Sequence, residues 1–284
     1  LRWTRDGGDR IEADARALRV GALSIGRVDA TARLGTGRDP ALSLALESAA
    51  VQLAGQDLGA LSIQVEGTRS AHVVALALAG DGREAALRLD GGWRDDGWRG
   101  RLAQLDVGAT GATLRLQEPV ALRAGVAGAE LERACLDTTG GTLCLAASHA
   151  AGSGRFDATL DGLSLAALRA WIGDDRLPAM EGLASGTAEA TWSGGALRSA
   201  SLRLQSPRGL ARLPRQPDLD LGYRDLLLEG RWDGAGGRLD GGAVLVPEGR
   251  IDLATELVAI DGAIGWDATV DVRVSDLSGI EAFT

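Results

Sequence analysis

Val74-Ala75-Leu76-Ala77-Leu78 closes on Gly80-Asp81-Gly82, and Leu87-Arg88-Leu89 then closes on Asp90-Gly91-Gly92. In both stretches every second residue is aliphatic, and the residues between are small or charged. Side chains at i and i+2 share a face of a strand, so this alternation predicts a half-buried β-strand with one apolar side. The same pattern returns in Leu114-Arg115-Leu116, Leu202-Arg203-Leu204 and Val270-Asp271-Val272-Arg273-Val274. Turn residues recur about every 8 to 14 positions, the spacing of an antiparallel meander. The fold expected is all-β and elongated, a mostly antiparallel sheet whose apolar face is either an open hydrophobic groove into which the sheet curls or the core of a closed sandwich.

Two segments depart from the alternation. Leu163-Ser164-Leu165-Ala166-Ala167-Leu168-Arg169-Ala170-Trp171-Ile172 carries apolar residues at helical spacing, and Ser164 stands where a cap belongs. One or two helical turns are expected there, and a similar element over residues 276–283. The Pro- and Arg-rich stretch from Pro207 to Pro217 is expected to be a loop and the one internal joint. No other boundary is evident across 1–284, and the succession of strand motifs reads as a quasi-one-dimensional stack.

Composition narrows the function. The chain has 284 residues, 45% of them hydrophobic, with 41 Gly and only 4% aromatics. Glycine at this density without a G-X-Y period fits many short strands joined by tight turns. Every basic residue is Arg and no Asn occurs, so Asp-Gly and Gly-Gly must supply the positive-φ turn positions. A net charge of −9 with scattered Arg argues against nucleic acid as a partner. The chain opens without Met or an apolar leader and contains no run of about 20 apolar residues. It reads as a fragment, so the missing leader and span say nothing about the parent protein.

Little in the sequence can catalyse. The two histidines lie apart: His72 is in phase with Val74, Leu76 and Leu78, and His149 sits in a Gly/Ala/Ser stretch. Two His and two Cys at these spacings make no metal signature. Asp95-Asp96 and Asp174-Asp175 stand beside Gly or Arg as turn carboxylates do. Gly234-Ala235-Gly236-Gly237-Arg238-Leu239-Asp240-Gly241-Gly242 lacks the Lys-Ser/Thr of a phosphate loop and is expected to hold two hairpin turns. No enzyme, cofactor or metal is expected.

Cys135 and Cys144 flank Asp137-Thr138-Thr139-Gly140-Gly141-Thr142. A two-residue turn at Thr139-Gly140 sets 135 opposite 144 as a non-hydrogen-bonded pair. There the Cα atoms stand about 4.5 Å apart, within reach of a disulfide. Closing this ten-residue loop would contribute roughly 2.5 kcal/mol on the chain-entropy account. The alternative is two free thiols on a cytosolic hairpin. A disulfide implies an oxidising compartment, which for this chain means the periplasm.

A family resemblance rests on residues 87–195. Gly97-Trp98-Arg99-Gly100-Arg101-Leu102-Ala103-Gln104-Leu105, Leu114-Arg115-Leu116-Gln117-Glu118-Pro119-Val120-Ala121-Leu122, Leu131-Glu132-Arg133-Ala134-Cys135-Leu136, Leu143-Cys144-Leu145 and Leu163-Ser164-Leu165-Ala166-Ala167-Leu168 resemble, in order and spacing, the middle region of the TamB family. Ser164 departs from the proline frequent at that point in relatives. The resemblance implies an AsmA-like repeating-β-groove bridge, anchored in the inner membrane and crossing the periplasm. It further implies phospholipid transport to the outer membrane, outer-membrane protein assembly, and a barrel partner resembling TamA.

On that reading the ligands are phospholipid acyl chains. The lining expected is Val74, Leu76, Leu78, Leu87, Leu89, Leu114, Leu116, Leu202, Leu204, Val270, Val272 and Val274, all facing one concavity. Two other classes compete. A structural β-solenoid adhesin would be poor in Cys and rich in Asn, unlike this chain. A polysaccharide-acting enzyme would need basic and aromatic residues gathered in a cleft.

Overall fold

The computed structural model describes residues 2–5, 9–21, 23–53, 56–94, 96–172, 179–213, 216–246, 248–260 and 263–273. The protein is all-β, an open antiparallel sheet with one short helix among the described residues. Its contacts gather into two units, residues 1–136 and 137–284.

The first unit is a meander. It runs through β1 (Arg2–Arg5), β2 (Asp9–Val20), β3 (Leu23–Leu34), β4 (Ala41–Leu53), β5 (Gln56–Thr68), β6 (His72–Gly80), β7 (Arg83–Arg94) and β8 (Gly97–Ala109). It continues through β9 (Ala112–Leu116), β10 (Val120–Gly125) and β11 (Gly128–Thr138), which extends two residues past the division. Consecutive strands pair antiparallel from β1 to β9. β9 and β10 lie end to end along β8: Val107 pairs with Leu114, and Leu102 with Val120. They form one broken strand interrupted at Gln117-Glu118-Pro119, where proline removes a ladder donor.

The second unit comprises β12 (Gly141–Ala150), β13 (Ser153–Ser164), α1 (Leu165–Ile172), β14 (Ala179–Ser193), β15 (Ala196–Leu213), β16 (Gln216–Trp232), β17 (Gly236–Val246), β18 (Arg250–Ile260) and β19 (Ala263–Arg273). Each strand pairs antiparallel with the next. The helix falls inside the expected segment, and the Ala167 amide donates to Ser164 Oγ at 3.4 Å as a cap. Residues 276–283 lie outside the described residues.

Three expectations are corrected. Gly91-Gly92 is no turn: β7 passes through both glycines and ends at Arg94. A Cβ on Gly91 would stand 2.5 Å from the Trp98 ring, which folds over it from the neighbouring strand. An aromatic laid across a strand glycine restores the packing the glycine lacks. The Gly234–Gly242 stretch holds one turn, at residues 233–235, and Gly241-Gly242 lies within β17. Finally, residues 207–213 and 216–217 are strand, not loop. Pro207 survives inside β15 because the strand opposite is bulged there. Asp225 has φ 54°, and the β16–β17 register shifts between Arg224 and Leu227. On the other side the β14–β15 register shifts between Gly182–Gly209 and Ser185–Gln205, so the ladder across Pro207 is interrupted and asks for no amide from it.

That bulge is one of a row. In the second unit, register shifts cross β13–β14 at 160–163, β14–β15 at 182–185 and β16–β17 at 224–227, with Gly162 at φ 68°. The first unit has a similar row in Ala17 (φ 54°), Ala50 (φ 55°) and Gly59 (φ 81°) on β2, β4 and β5. Bulges bend a strand and raise its twist, so aligned bulges fold the sheet along a line.

Candidate functional site: the apolar face of each unit

In the first unit, residues sharing a rung share a face. Leu44, Val65, Val74 and Leu89 form one rung, and Leu46, Ile63, Leu76, Leu87 and Leu105 the next. Leu61, Leu78 and Ala85 make a third, continued by Val107 and Leu114. The expected residues Val74, Leu76, Leu78, Leu87, Leu89 and Leu114 therefore lie on one face, and all are half-buried. A closed sandwich would bury such positions under a second sheet. Leu116 differs. It is buried, together with Leu102, Ala112, Val120, Ala134 and Leu136 on β8–β11. Leu44, Leu46, Leu61, Ile63, Val65, Leu105 and Val107 belong to this face and were not singled out from the sequence, although their own alternation marks them.

The second unit repeats the arrangement. Leu143, Leu160, Gly186, Leu204, Leu228, Gly241, Leu253 and Val270 form one continuous rung. Leu145, Ala158, Ala188, Leu202, Gly230, Leu239 and Thr255 form the next. Val272 follows Val270 on the same side, and Val274 lies outside the described residues. Here the face is more open: Leu202 is 38% exposed, Val272 55% and Val270 59%.

The opposite face is charged and self-paired. Arg27 reaches Asp29 at 2.7 Å, Arg88 reaches Asp90 at 2.9 Å and Arg155 reaches Asp157 at 2.6 Å. The pattern continues with Arg238–Asp240, Arg250–Asp252 and Asp271–Arg273. Each pair is two residues apart on one strand, so both members point to the same side. Cross-strand pairs join the network, such as Arg101–Asp90, Arg115–Asp106 and Arg203–Glu229. The hydrogen bond from its Arg holds the carboxyl of Asp29, Asp157 and Asp252 below the ordinary carboxylate range. An open hollow of about 370 Å³ on this side is edged by Arg27, Asp29 and Glu47 among alanines. Its charged rim does not suit an acyl chain.

Each unit holds one histidine on its apolar face, bonded to a tryptophan. In the first, Trp98 Nε1 donates to His72 Nε2 at 3.0 Å, and His72 Nδ1 meets the Thr68 carbonyl at 3.0 Å. The proton of His72 therefore sits on Nδ1. In the second, Trp192 Nε1 donates to His149 Nδ1 at 3.0 Å, which leaves the proton on Nε2. Both rings act as acceptors for structural indoles. Among the described residues no cluster of His, Cys, Asp and Glu could hold a metal ion, and no helix is long and apolar enough to cross a membrane.

Cys135 and Cys144 are both disulfide-bonded, and they are the chain's two cysteines. The turn between β11 and β12 occupies Thr139-Gly140, with Gly140 at φ 102°, a conformation that favours glycine.

No curated protein and no solved structure matches the chain. A family model described as TamB, N-terminal domain, matches residues 10–284, well beyond the segment that carried the resemblance. The chain belongs to the TamB family, a family of periplasmic bridge proteins.

Proposed function

We propose that the apolar faces of this chain carry phospholipid acyl chains across the periplasm between inner and outer membrane, and that the chain is not an enzyme. The observation that carries this reading is a broad aliphatic face left half-exposed across β4–β8 and β13–β19, backed by a charged face on which Arg and Asp pair with each other. Each acyl methylene removed from water on that face contributes about 0.8 kcal/mol and asks for no polar contact. The absence of convergent polar groups along the rungs is what such cargo requires. The same path extends to assembly of outer-membrane proteins with a barrel partner resembling TamA, whose strands also present an apolar side. The parent protein is then anchored in the inner membrane outside this chain.

The test pairs folding with transfer for Leu76→Arg. Leu76 is half-buried at the centre of the first unit's face. A long Arg side chain there can turn its head toward solvent while its stem stays on the sheet. The variant is expected to melt close to the parent protein, to lose co-purifying phospholipid in native mass spectrometry, and to fail in lipid transfer. Unfolding would mean the face is ordinary core. A folded variant with full transfer would remove the transport role.

A further inference from the structure

One element of the second unit takes no part in the sheet. α1 has eight residues, and isolated helices shorter than about 12–15 residues are marginal in water. Its helicity therefore depends on its seat. Leu165 and Ala167 are buried to 5% and 1% exposure. Leu165 forms a cluster with Ala184 and Tyr223, against which Leu168, Leu204, Leu226 and Ala243 pack. Leu204 lies on the long rung described above, Leu226 follows it across the β15–β16 ladder beside Ser206, and Ala243 pairs with Ile251 on the same side. The helix is thus laid on the apolar face itself, next to the row of bulges that crosses β13–β16.

We propose that α1 is a tethered occupant of this face, seated where an acyl chain would lie, and that cargo and helix compete for Leu204, Leu226 and Ala243. The proposal rests on the reading that the face carries acyl chains. Leu165 and Leu168 offer the sheet what an acyl chain offers, apolar surface with no hydrogen bond. Two polar side chains beneath the helix, Ser206 and Tyr223, are partnered within the sheet. Ser206 and Tyr223 hold each other at 3.1 Å, and Tyr223 Oη donates to the Glu181 carbonyl at 3.1 Å. At the start of the helix the cap bond, from the Ala167 amide to Ser164 Oγ, is long at 3.4 Å. Seated on β13 and β14, α1 narrows the apolar path beside the Ala184–Tyr223 cluster; displaced, it opens the path to lipid.

The test combines hydrogen exchange at the α1 amides with native mass spectrometry of bound lipid, with and without phosphatidylglycerol vesicles. Lipid is expected to speed exchange across residues 165–172. Ser164→Ala changes no residue of the aliphatic rungs and removes a cap of about 1 kcal/mol, which shifts the seated-to-open ratio about fivefold toward open. It should raise lipid bound per chain, and Leu165→Ser with Leu168→Ser should raise it further. If the parent protein binds lipid while α1 exchange is unchanged or slowed, and the variants bind the same amount, competition is overturned and the apolar path stands. If neither parent nor variants bind lipid, the path and the competition fall together.

Discussion

The two histidine–tryptophan pairs have the same chemistry in different surroundings. His72 is 8% exposed, uses both ring nitrogens, and lies tilted at 48° to Trp98. His149 is exposed, uses one nitrogen for its indole, and lies stacked on Trp192 at 10°. Each indole covers strand glycine, Gly91 and Gly100 under Trp98 and Gly154 under Trp192. The difference follows the units at large. The first gathers buried residues on β8–β11, whereas the second leaves Val270 and Val272 more than half exposed and buries chiefly what lies under α1. A single amphipathic pattern thus supports a covered stretch and an open one, and cover is set by bulges, broken strands and a helix.

The sharpest way to break that contrast is to place a charge in each region. Leu116→Arg puts a guanidinium at a buried position and is expected to cost roughly 3–5 kcal/mol, as an uncompensated interior charge does. Val270→Arg, at 59% exposure, should change stability by no more than about 0.5 kcal/mol. Denaturant midpoints measure both, and similar values would show that the two regions are covered alike.

A smaller effect separates the histidines. His72→Ala leaves the buried Trp98 indole N–H without its acceptor and should cost about 1–3 kcal/mol. In His149→Ala the Trp192 indole can turn to water, so the expected loss is below about 0.5 kcal/mol. Thermal melting read by tryptophan fluorescence distinguishes them, and equal shifts would end the distinction between a structural and a surface pair.

The smallest effect should be common to both units. Asp29 in the first and Asp157 and Asp252 in the second have carboxyl pKa values lowered by their Arg partners. A lowered folded-state pKa contributes stability above the unfolded value, about pH 4, and that stability is lost as pH falls through the folded value. These groups are exposed, so the loss should be shallow and should shrink in high salt. Acid titration of melting temperature at two ionic strengths checks it. A steep, salt-independent drop would contradict exposed pairing.

Much of this was legible in the sequence. Val74 to Leu78 and Leu202 to Leu204 state their strands directly, Thr139-Gly140 sets the disulfide hairpin, and Ser164 marks the start of α1. What the sequence could not show is governed by residues far away along the chain. Gly91-Gly92 reads as a turn until Trp98 is known to lie over Gly91 from the next strand. Pro207 reads as a loop until the bulge at Asp225 is seen opposite. Ala17 and Ala50 carry positive φ with nothing in their side chains to announce it. For the candidate site, alternation assigns a residue to a face but is silent about what lies above that face. Leu116 and Val270 therefore looked alike, and only one is buried.

The Arg–Asp pairs set two apart on a single strand carry a consequence for how such a protein can grow. A strand that balances its own charges presents its neighbour with a neutral outer surface and an aliphatic inner one, whichever strand that neighbour is. A hairpin such as β17–β18, with Arg238–Asp240 on one arm and Arg250–Asp252 on the other, could be duplicated or lost with each of these ion pairs kept whole. Selection is then free to set the length of the sheet two strands at a time, and span becomes a quantity that evolution can adjust by copying.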